Sequence, residues 1–297
     1  MTMSTTIEPA APTLAAVMRS APATLGFRHD LRGVRVVWQR EMIRFSRDRL
    51  RIVTSLIQPV LFLFVLGTGL STITNGSSSQ NVNLRTFMYP GALSMAVLFT
   101  AMFSAASIVW DREFGFLREM LVAPVSRWSI VLGKTFGGAT NATLQGVIIL
   151  AMAGIVGVPY SLTLFLTVFG ELLLLAVTLT AFGVMMAARI NQIQSFMALQ
   201  QMLLMPLFFL SGALFPLSNL PAWLQFMTRI DPLTYAVDPV RRAIFAHLQA
   251  PAGVVHRLNP GVTWGGWRVP TSIEVLIVAA MGTAFLAVAI WQFQKAE

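Results

Sequence analysis

Six long apolar segments dominate this chain of 297 residues and limit what it can fold into. A helix rises about 1.5 Å per residue, so about 20 apolar residues are needed to cross the ~30 Å hydrocarbon layer of a membrane. Only 11% of the residues are charged, against about 25% in soluble domains, which excludes a soluble protein. The sequence predicts an all-α membrane protein with six transmembrane helices, at 52–73, 87–110, 130–156, 162–188, 196–215 and 272–291.

The distribution of arginine orients these helices. Nine arginines precede the first apolar segment, and the positive-inside rule therefore places the N-terminus in the cytoplasm. Six crossings then return the C-terminus to the cytoplasm. The segment 216–271 places five arginines on the predicted outside, where long loops follow the rule poorly. The net charge of +9 is thus explained by topology and contact with the lipid bilayer, and we expect no nucleic-acid partner.

The residues before the first apolar segment divide into two parts. Residues 1–30 are rich in Ala, Pro and Thr and are predicted to form a disordered cytoplasmic tail. Residues 31–50 predict an amphipathic helix in the cytoplasmic headgroup layer, because arginines border an apolar face that contains Val34, Val37, Trp38, Met42 and Phe45. Glu41 lies within that apolar face. We interpret it as a partner of Arg40 or Arg44, with contact to a cytoplasmic subunit as the alternative.

Residues 51–297 are predicted to form the transmembrane domain, in which Glu171 is the only carboxylate well inside a predicted span. An ionisable group at that depth costs at least about 2.5–3.5 kcal/mol on insertion scales, so it should face protein or water. One interpretation is a buried structural residue that is protonated or is hydrogen-bonded to a neighbour such as Asn141 or Gln145 on the adjacent helix. The alternatives are a proton relay in a proton-coupled secondary transporter and a contact for a cationic substrate. Asp238 and Glu274 are expected at the outer boundary, in contact with water.

Catalytic and nucleotide-binding patterns are weak. Gly133-Lys134-Thr135 resembles the end of a phosphate-binding loop, but Trp128 stands where that pattern requires glycine. We expect Lys134 to extend to the cytoplasmic headgroups, and we predict no ATPase site in this chain. The chain has no cysteine and only three scattered histidines, so no metal site and no catalytic residue is predicted. An intramembrane enzyme stays open as an alternative.

The loop between the second and third apolar segments carries an amphipathic pattern at 112–123. Phe114, Leu117 and Leu121 recur at helical spacing, and Pro124 ends the helix. A short cytoplasmic helix held at both ends by membrane helices can transmit force from a docked partner. An ordinary interfacial turn fits the residues equally well. Between the last two spans, 216–248 predicts short helices in an outer re-entrant segment that is covered by protein.

Several motifs resemble the permease subunits of ABC-2 type exporters, in the branch that confers daunorubicin and doxorubicin resistance. The loop contributes Glu113-Phe114-Gly115-Phe116-Leu117-Arg118 and Ala123-Pro124-Val125-Ser126-Arg127, with Gly133-Lys134 shortly after. A second run is similar to the family's outer segment, namely Ser211-Gly212-Ala213-Leu214-Phe215-Pro216 and later Asp231-Pro232-Leu233-Thr234-Tyr235. Arg40-Glu41 and Gln58-Pro59 also fit, so the resemblance extends from about Val34 to the C-terminus.

The resemblance implies a transport subunit that has no cofactor of its own. ATP and Mg would be bound by a separately encoded ATP-binding subunit in two copies, and a second permease copy or a paralogue would complete the complex. The residues that contact the ATP-binding subunit would be Glu113, Phe114, Gly115, Leu117, Arg118, Glu119, Leu121 and Pro124. The amphipathic helix with Trp38, Arg40 and Glu41 would be the family's connecting helix.

The same resemblance implies export of hydrophobic compounds, such as drugs, antibiotics, polyketides or lipids, across a bacterial cytoplasmic membrane. Multidrug resistance or antibiotic transport would be the physiological setting. Apolar, flexible side chains on the first, second and fifth spans would line the substrate cavity, and the candidates are Phe62, Phe99, Met102, Phe103, Met202 and Phe209. A polysaccharide exporter is expected to have a more polar and aromatic lining.

Overall fold

The computed structural model describes residues 27–69, 84–117, 120, 125–215, 217, 220–248, 259, 261–264 and 266–295. These residues form a mostly α-helical membrane protein with one short antiparallel hairpin. The helices are α1 (Phe27–Arg47), α2 (Arg49–Leu61, followed by a π-helical turn at Phe62–Leu66), α3 (Leu84–Glu113), α4 (Arg127–Ala151), α5 (Leu162–Ala187), α6 (Ile193–Leu210), α7 (Ala222–Ile230), α8 (Pro232–Ala246) and α9 (Thr271–Lys295). The hairpin strands are β1 (Thr263–Trp264) and β2 (Trp267–Arg268).

Five helices of the described chain are long and apolar enough to cross a membrane: Arg49–Gly69, Arg85–Glu113, Leu162–Ala187, Ile193–Leu210 and Thr271–Lys295. This confirms the predicted class. The sixth predicted span, 130–156, overlaps α4, which has 25 residues but also carries buried polar side chains such as Asn141 and Gln145. A sixth crossing and the in–in orientation of the termini therefore stay predictions. Residues 70–73 of the first predicted span lie outside the described residues.

Helix α3 is the centre of the bundle. Of its most apolar stretch 89% is buried, against 39% or less in the other four apolar helices. Small residues let its neighbours approach closely, as in many membrane bundles. A Cβ added at Gly138 of α4 would lie 2.6 Å from the Thr180 side chain and 2.9 Å from that of Ser104, so α3, α4 and α5 meet there almost backbone to backbone.

Helix α1 packs along α4 through two glycines. A Cβ at Gly133 would lie 2.6 Å from Val37, and one at Gly137 would lie 2.6 Å from Glu41. The start of α1 at Phe27 differs from the predicted tail of residues 1–30, because its first turn has partners: the ring of Phe27 stacks on Trp128, and other residues of the turn contact the start of α4. Residues 1–26 lie outside the described residues.

The segment predicted to be re-entrant contains α7 and α8, two short helices as expected. Asp231 caps α8 by accepting a hydrogen bond from the backbone N–H of Leu233 at 2.9 Å, and Pro232 occupies the first helical position. Most of α8 is buried against α5 and α9. The depth of this segment in a membrane stays a prediction, and residues 216, 218 and 219 lie outside the described residues.

Candidate functional site

The end of α3 that is predicted to face the cytoplasm is joined to α1 and α4 through Asp111. Arg40 of α1 donates from Nη2 to Asp111 Oδ1 at 2.6 Å, and Lys134 of α4 donates to Asp111 Oδ2. Arg44 lies 3.8 Å from the same carboxylate. Asp111 itself is buried. A buried carboxylate with several cationic partners holds three helices in one geometry.

Lys134 does not extend to the headgroups, so that prediction is wrong. Its side chain is only 2% exposed, and Nζ donates to Glu41 Oε1 at 2.5 Å and to Ser107 Oγ at 3.1 Å. The prediction that Glu41 pairs with Arg40 or Arg44 is also wrong, because Glu41 pairs with Lys134. Gly137 seats the Glu41 stem against α4, so its carboxylate reaches Lys134 instead. We call Glu41, Asp111, Lys134 and Arg40 the inner charge cluster.

The next two residues of α3 bind two further helices. Arg112 donates to the carbonyls of Ala188 at 2.8 Å and Ile190 at 2.6 Å, and also to that of Ala187, at the C-terminal end of α5. A guanidinium there satisfies free carbonyls and complements the negative end of the helix dipole. Glu113 Oε2 accepts from the Ile193 N–H at 2.9 Å, at the first residue of α6. Asp111, Arg112 and Glu113 thus connect the end of α3 to four other helices.

Directly after this triplet the helix breaks at Gly115, whose φ is 82°. This left-handed backbone changes the register that the amphipathic pattern assumed. Phe114 is 71% exposed as predicted, but Leu117 is buried against the bundle and Phe116 is exposed in its place. The exposed apolar side chains of this turn are therefore Phe114 and Phe116 rather than Phe114 and Leu117. The other predicted contact residues, Arg118, Glu119, Leu121 and Pro124, lie outside the described residues.

A wide cleft of about 830 Å³ opens between α1 and the end of α3. Arg40, Arg44 and Arg47 line one wall, and Phe114 and Phe116 line the other. Arg40 also links the cleft to the loop, because its Nη1 lies 3.2 Å from the Met120 sulfur. Trp38, the remaining predicted connecting-helix residue, donates to Thr140 Oγ1 at 3.1 Å and is part of the packing on α4. The cleft is thus lined by three arginines, by the acids Asp48 and Asp111, and by aromatic side chains that include Trp110.

A groove runs along α3 between α2 and α6. It consists of an inner chamber of about 510 Å³ and an outer chamber of about 660 Å³, and both are lined by Thr54 and Gln58. Four of the six predicted cavity residues line it: Phe99 and Phe103 in the inner chamber, and Phe62 and Phe209 in the outer one.

The other two predicted cavity residues do not line this groove. Met102 is fully buried, because it points from α3 towards α5, where its sulfur would lie 3.3 Å from a Cβ added at Gly183. Met202 is 71% exposed and lines neither chamber. Helical periodicity alone does not tell which face of a helix that is apolar all round turns towards a groove.

Glu171 is not held by the neighbours that were predicted for it. Among the residues that the structure describes, no group hydrogen-bonds its buried Oε2 or the buried Oδ1 of Asn141. Gln145 donates instead to Ser55 Oγ at 2.9 Å. The predicted hydrogen bond between Glu171 and either residue is therefore wrong.

A second buried cluster lies at the opposite end of the bundle, and sequence reasoning missed it. Arg242 pairs with Asp238 at 2.5 Å and with Glu274 at 3.3 Å, and it also donates to the Val269 carbonyl at 2.9 Å. Asp238 and Glu274 are 5% and 0% exposed, so their predicted contact with water is wrong. The last turns of α8 and the start of α9 bring them together. We call Asp238, Arg242 and Glu274 the outer charge cluster.

Arg241, next to this cluster, is fully buried and has different partners. It donates to the Gly212 carbonyl at 2.5 Å, and its guanidinium lies 4.6 Å from the ring centroid of Phe87. Burial lowers the pKa of Arg241 to about 10, and the negative charge of Asp238 opposes that shift. Arg241 is therefore cationic at neutral pH and ties α8 to the end of α6 and to α3. No group of three or more metal-ligating side chains occurs among the described residues.

Comparisons with known proteins agree with this architecture. The ABC-2 type transporter family matches residues 32–245. A protein of Cyanophora paradoxa named transport permease ycf38 is 31% identical over 209 residues, which cover 69% of this chain and 72% of that protein. Nodulation protein J of Rhizobium leguminosarum bv. trifolii is 29% identical and covers 71% and 80%. The multidrug ABC transporter permease YbhR of Escherichia coli K12 is 31% identical over 54% of this chain and 44% of its own length. This chain belongs to the ABC-2 type transporter family.

Proposed function

We propose that this permease exports hydrophobic compounds across a bacterial cytoplasmic membrane, driven by ATP that a separate subunit binds and hydrolyses. The observation that carries the proposal is the attachment of α3 at Asp111, Arg112 and Glu113 to four other helices, directly before the exposed turn at Phe114 and Gly115. A load applied to that turn reaches every one of these helices without passing through a flexible linker.

The ATP-binding subunit would dock in the cleft between α1 and the end of α3. Exposed Phe114 and Phe116 offer apolar anchors, and desolvated aromatic anchors contribute strongly to interfaces. Arg44 and Arg47 at the rim favour a partner with an acidic surface. ATP and Mg would bind to that partner, in line with the prediction that this chain holds no cofactor.

ATP binding would favour the outward-open state of the complex. Closure of two ATP-binding subunits would displace the Phe114 turn, and the inner charge cluster would pass the displacement to α1 and α4. Arg112 and Glu113 would pass it to α5 and α6 at the same time. Such a change is a population shift between two packings, driven by the different affinity of the two states for nucleotide.

A second permease, either another copy of this chain or a paralogue, would complete the translocation path. Only 17% of the apolar stretch of α2 and 22% of that of α6 are buried within one chain. These two helices flank the groove, so a path between two permeases would expose the groove to cargo. The apolar lining of the outer chamber supports a hydrophobic cargo, such as a drug, antibiotic, polyketide or lipid.

Phe114→Ala tests the docking role without disturbing the fold, because the side chain is exposed. We expect binding of the ATP-binding subunit to the purified permease to weaken at least about tenfold, as for an interface anchor. The matched control is Phe226→Ala, since Phe226 is also exposed but lies in α7 on the predicted outer side. Equal binding of wild type and Phe114→Ala would contradict the docking site, and transport by this chain without ATP would contradict the whole proposal.

A proton-coupled secondary transporter is the second candidate, and one observation favours it. Glu171 Oε2 is buried without a hydrogen-bond partner, as expected for a carboxyl that exchanges a proton. This candidate requires transport that follows a pH gradient in the absence of ATP and is abolished in Glu171→Gln. The exporter predicts that Glu171→Gln transports within about twofold of wild type when ATP is present.

A further inference from the structure

The groove between α2 and α6 contains an arginine that forms no salt bridge with any carboxylate of the described residues. Arg51 lies in the first turn of α2 and lines the inner chamber. Its guanidinium lies 5.9 Å from the ring centroid of Phe103, and among the described residues no carboxylate oxygen comes within 4.0 Å of it. Asp48 lines the same chamber, but it caps α2 by accepting from the backbone N–H of Arg51 at 3.1 Å.

The other arginine near this chamber is already engaged. Arg44 lies over the ring of Trp110 at 4.9 Å and 3.8 Å from Asp111. A half-buried guanidinium without a partner next to phenylalanine rings is costly, because it has lost part of its hydration and gained no anion. An anionic group of a ligand that pairs with Arg51 would therefore bind favourably.

The two chambers differ in polarity along their length. Thr54 and Gln58 lie where the chambers meet. Beyond them the wall is apolar and is formed by Leu61, Phe62, Val65, Leu66, Met205 and Phe209. From Arg51 to Leu66 helix α2 extends about 22 Å at ~1.5 Å per residue. A ligand that fills the groove meets a cation at one end and only hydrocarbon at the other.

We propose that the groove binds an amphiphilic anion as cargo, with its acid group on Arg51 and its apolar tail in the outer chamber. This names the substrate class of the exporter and so rests on the proposed function. A neutral compound leaves Arg51 without a partner, and a cationic one is repelled. The charge complementarity thus selects acids from the wider set of hydrophobic compounds.

Photolabelling of the full chain tests the proposal without ATP or the partner subunit. The chain is placed in phosphatidylcholine vesicles with a photoactivatable palmitic acid or with the matched photoactivatable hexadecanol, and labelled residues are mapped by mass spectrometry. We expect the acid to label Phe62, Met205 and Phe209 about tenfold more than the alcohol, the effect of about one charge-assisted hydrogen bond. Arg51→Gln should reduce labelling by the acid to the level of the alcohol, and Arg51→Lys should restore most of it.

The control variant is Arg49→Gln, which removes a charge from the same helix end but outside the groove, because Arg49 is exposed and lines neither chamber. Its labelling should equal that of wild type. Equal labelling by acid and alcohol, or equal loss in Arg49→Gln and Arg51→Gln, overturns the proposal. Crosslinks that show the groove filled by a second copy of this chain overturn it as well.

Cargo and resident lipid are separated by competition. When phosphatidylglycerol makes up about a third of the vesicle lipid, most of the labelling by the acid should remain. Complete loss of the labelling would identify a site for membrane phospholipid and overturn the cargo assignment. ATP-driven export of the acid probe by the complex should fall about tenfold in Arg51→Gln. Labelling that persists in a complex with no ATP-driven transport would refute the proposed function but not the anion site.

Discussion

The inner and outer charge clusters are built from the same residue types but differ in their balance of charge. In the inner cluster Glu41 and Asp111 face two cations, Lys134 and Arg40. In the outer cluster Asp238 and Glu274 share the single guanidinium of Arg242. Among the described residues, no group hydrogen-bonds the buried Glu274 Oε2 or Arg242 Nε. Each acid of the inner cluster thus contacts at least one cation, whereas two acids of the outer cluster share one.

This difference matches the task proposed for each end. A joint that transmits force must keep one geometry, and a neutralised, hydrogen-bonded network has one. The outer end has no such requirement in the proposed mechanism. We therefore expect substitutions in the inner cluster to destabilise the fold, and the loss of an acid in the outer cluster to be tolerated.

The largest expected effect is that of Lys134→Met. It leaves Glu41 and Asp111 buried and facing each other, and removing one partner of a buried ion pair costs about 3–5 kcal/mol. The melting temperature of the purified chain in detergent should fall accordingly. Lys295→Met is the matched control, because Lys295 is exposed, lies over the ring of Trp291 and forms no salt bridge with the described residues. An unchanged melting temperature in Lys134→Met would show that the cluster is not a structural joint.

A double variant sharpens this prediction. Adding Glu41→Gln to Lys134→Met removes the carboxylate that has lost its cation, while Asp111 keeps its bond to Arg40. Part of the lost stability should return, because the two residues are coupled. Additive losses in the double variant would mean that the two side chains act independently, against the observed 2.5 Å contact.

The change in stability is expected to have opposite signs when one acid is replaced by its amide in the inner and in the outer cluster. Asp111→Asn weakens charge-assisted bonds to Lys134 and Arg40, so stability should fall by about 2 kcal/mol. Glu274→Gln removes one of two acids that share the Arg242 guanidinium, at a fully buried position, and stability should rise by up to about 1 kcal/mol. Both are measured as melting temperatures under identical detergent conditions. A large loss in Glu274→Gln would show that the outer cluster is as tightly neutralised as the inner one.

The membrane class and the order of the helices could be predicted because length and apolarity are local properties of the sequence. The inner cluster could not, because Glu41 and Lys134 are 93 residues apart and no periodic pattern measures that distance. A signal existed nevertheless. Glu41 interrupts an apolar face, and Lys134 lies inside an apolar helix beside Gly133. Two opposite charges in apolar surroundings indicate that the two residues form an ion pair.

The corrections in the candidate site have a related cause. A helical wheel requires an unbroken helix, and the φ of 82° at Gly115 moves Leu117 inward and Phe116 outward. The face of α3 that lines the groove was also undetermined, because Phe99 and Met102 are both apolar and differ only in which neighbour they meet. Tertiary packing determines which of these apolar side chains lines the groove.

The smallest expected effect on stability is that of Arg40→Gln, and it separates holding the fold from transmitting force. The Arg40 side chain is 40% exposed, and Lys134 still neutralises Asp111, so stability should fall by about 1 kcal/mol or less. Arg40 is also the residue that joins Asp111 to Met120 of the loop, so ATP-driven transport by the complex should fall about tenfold. Arg35→Gln is the control, because Arg35 is exposed on the same helix, does not line the cleft and has no ion pair among the described residues. The contrary result is that transport and melting temperature are each only slightly lower, and equally so, in Arg40→Gln and in the control. That result would show that the bond between Arg40 and Asp111 is part of the packing and carries no force from the loop.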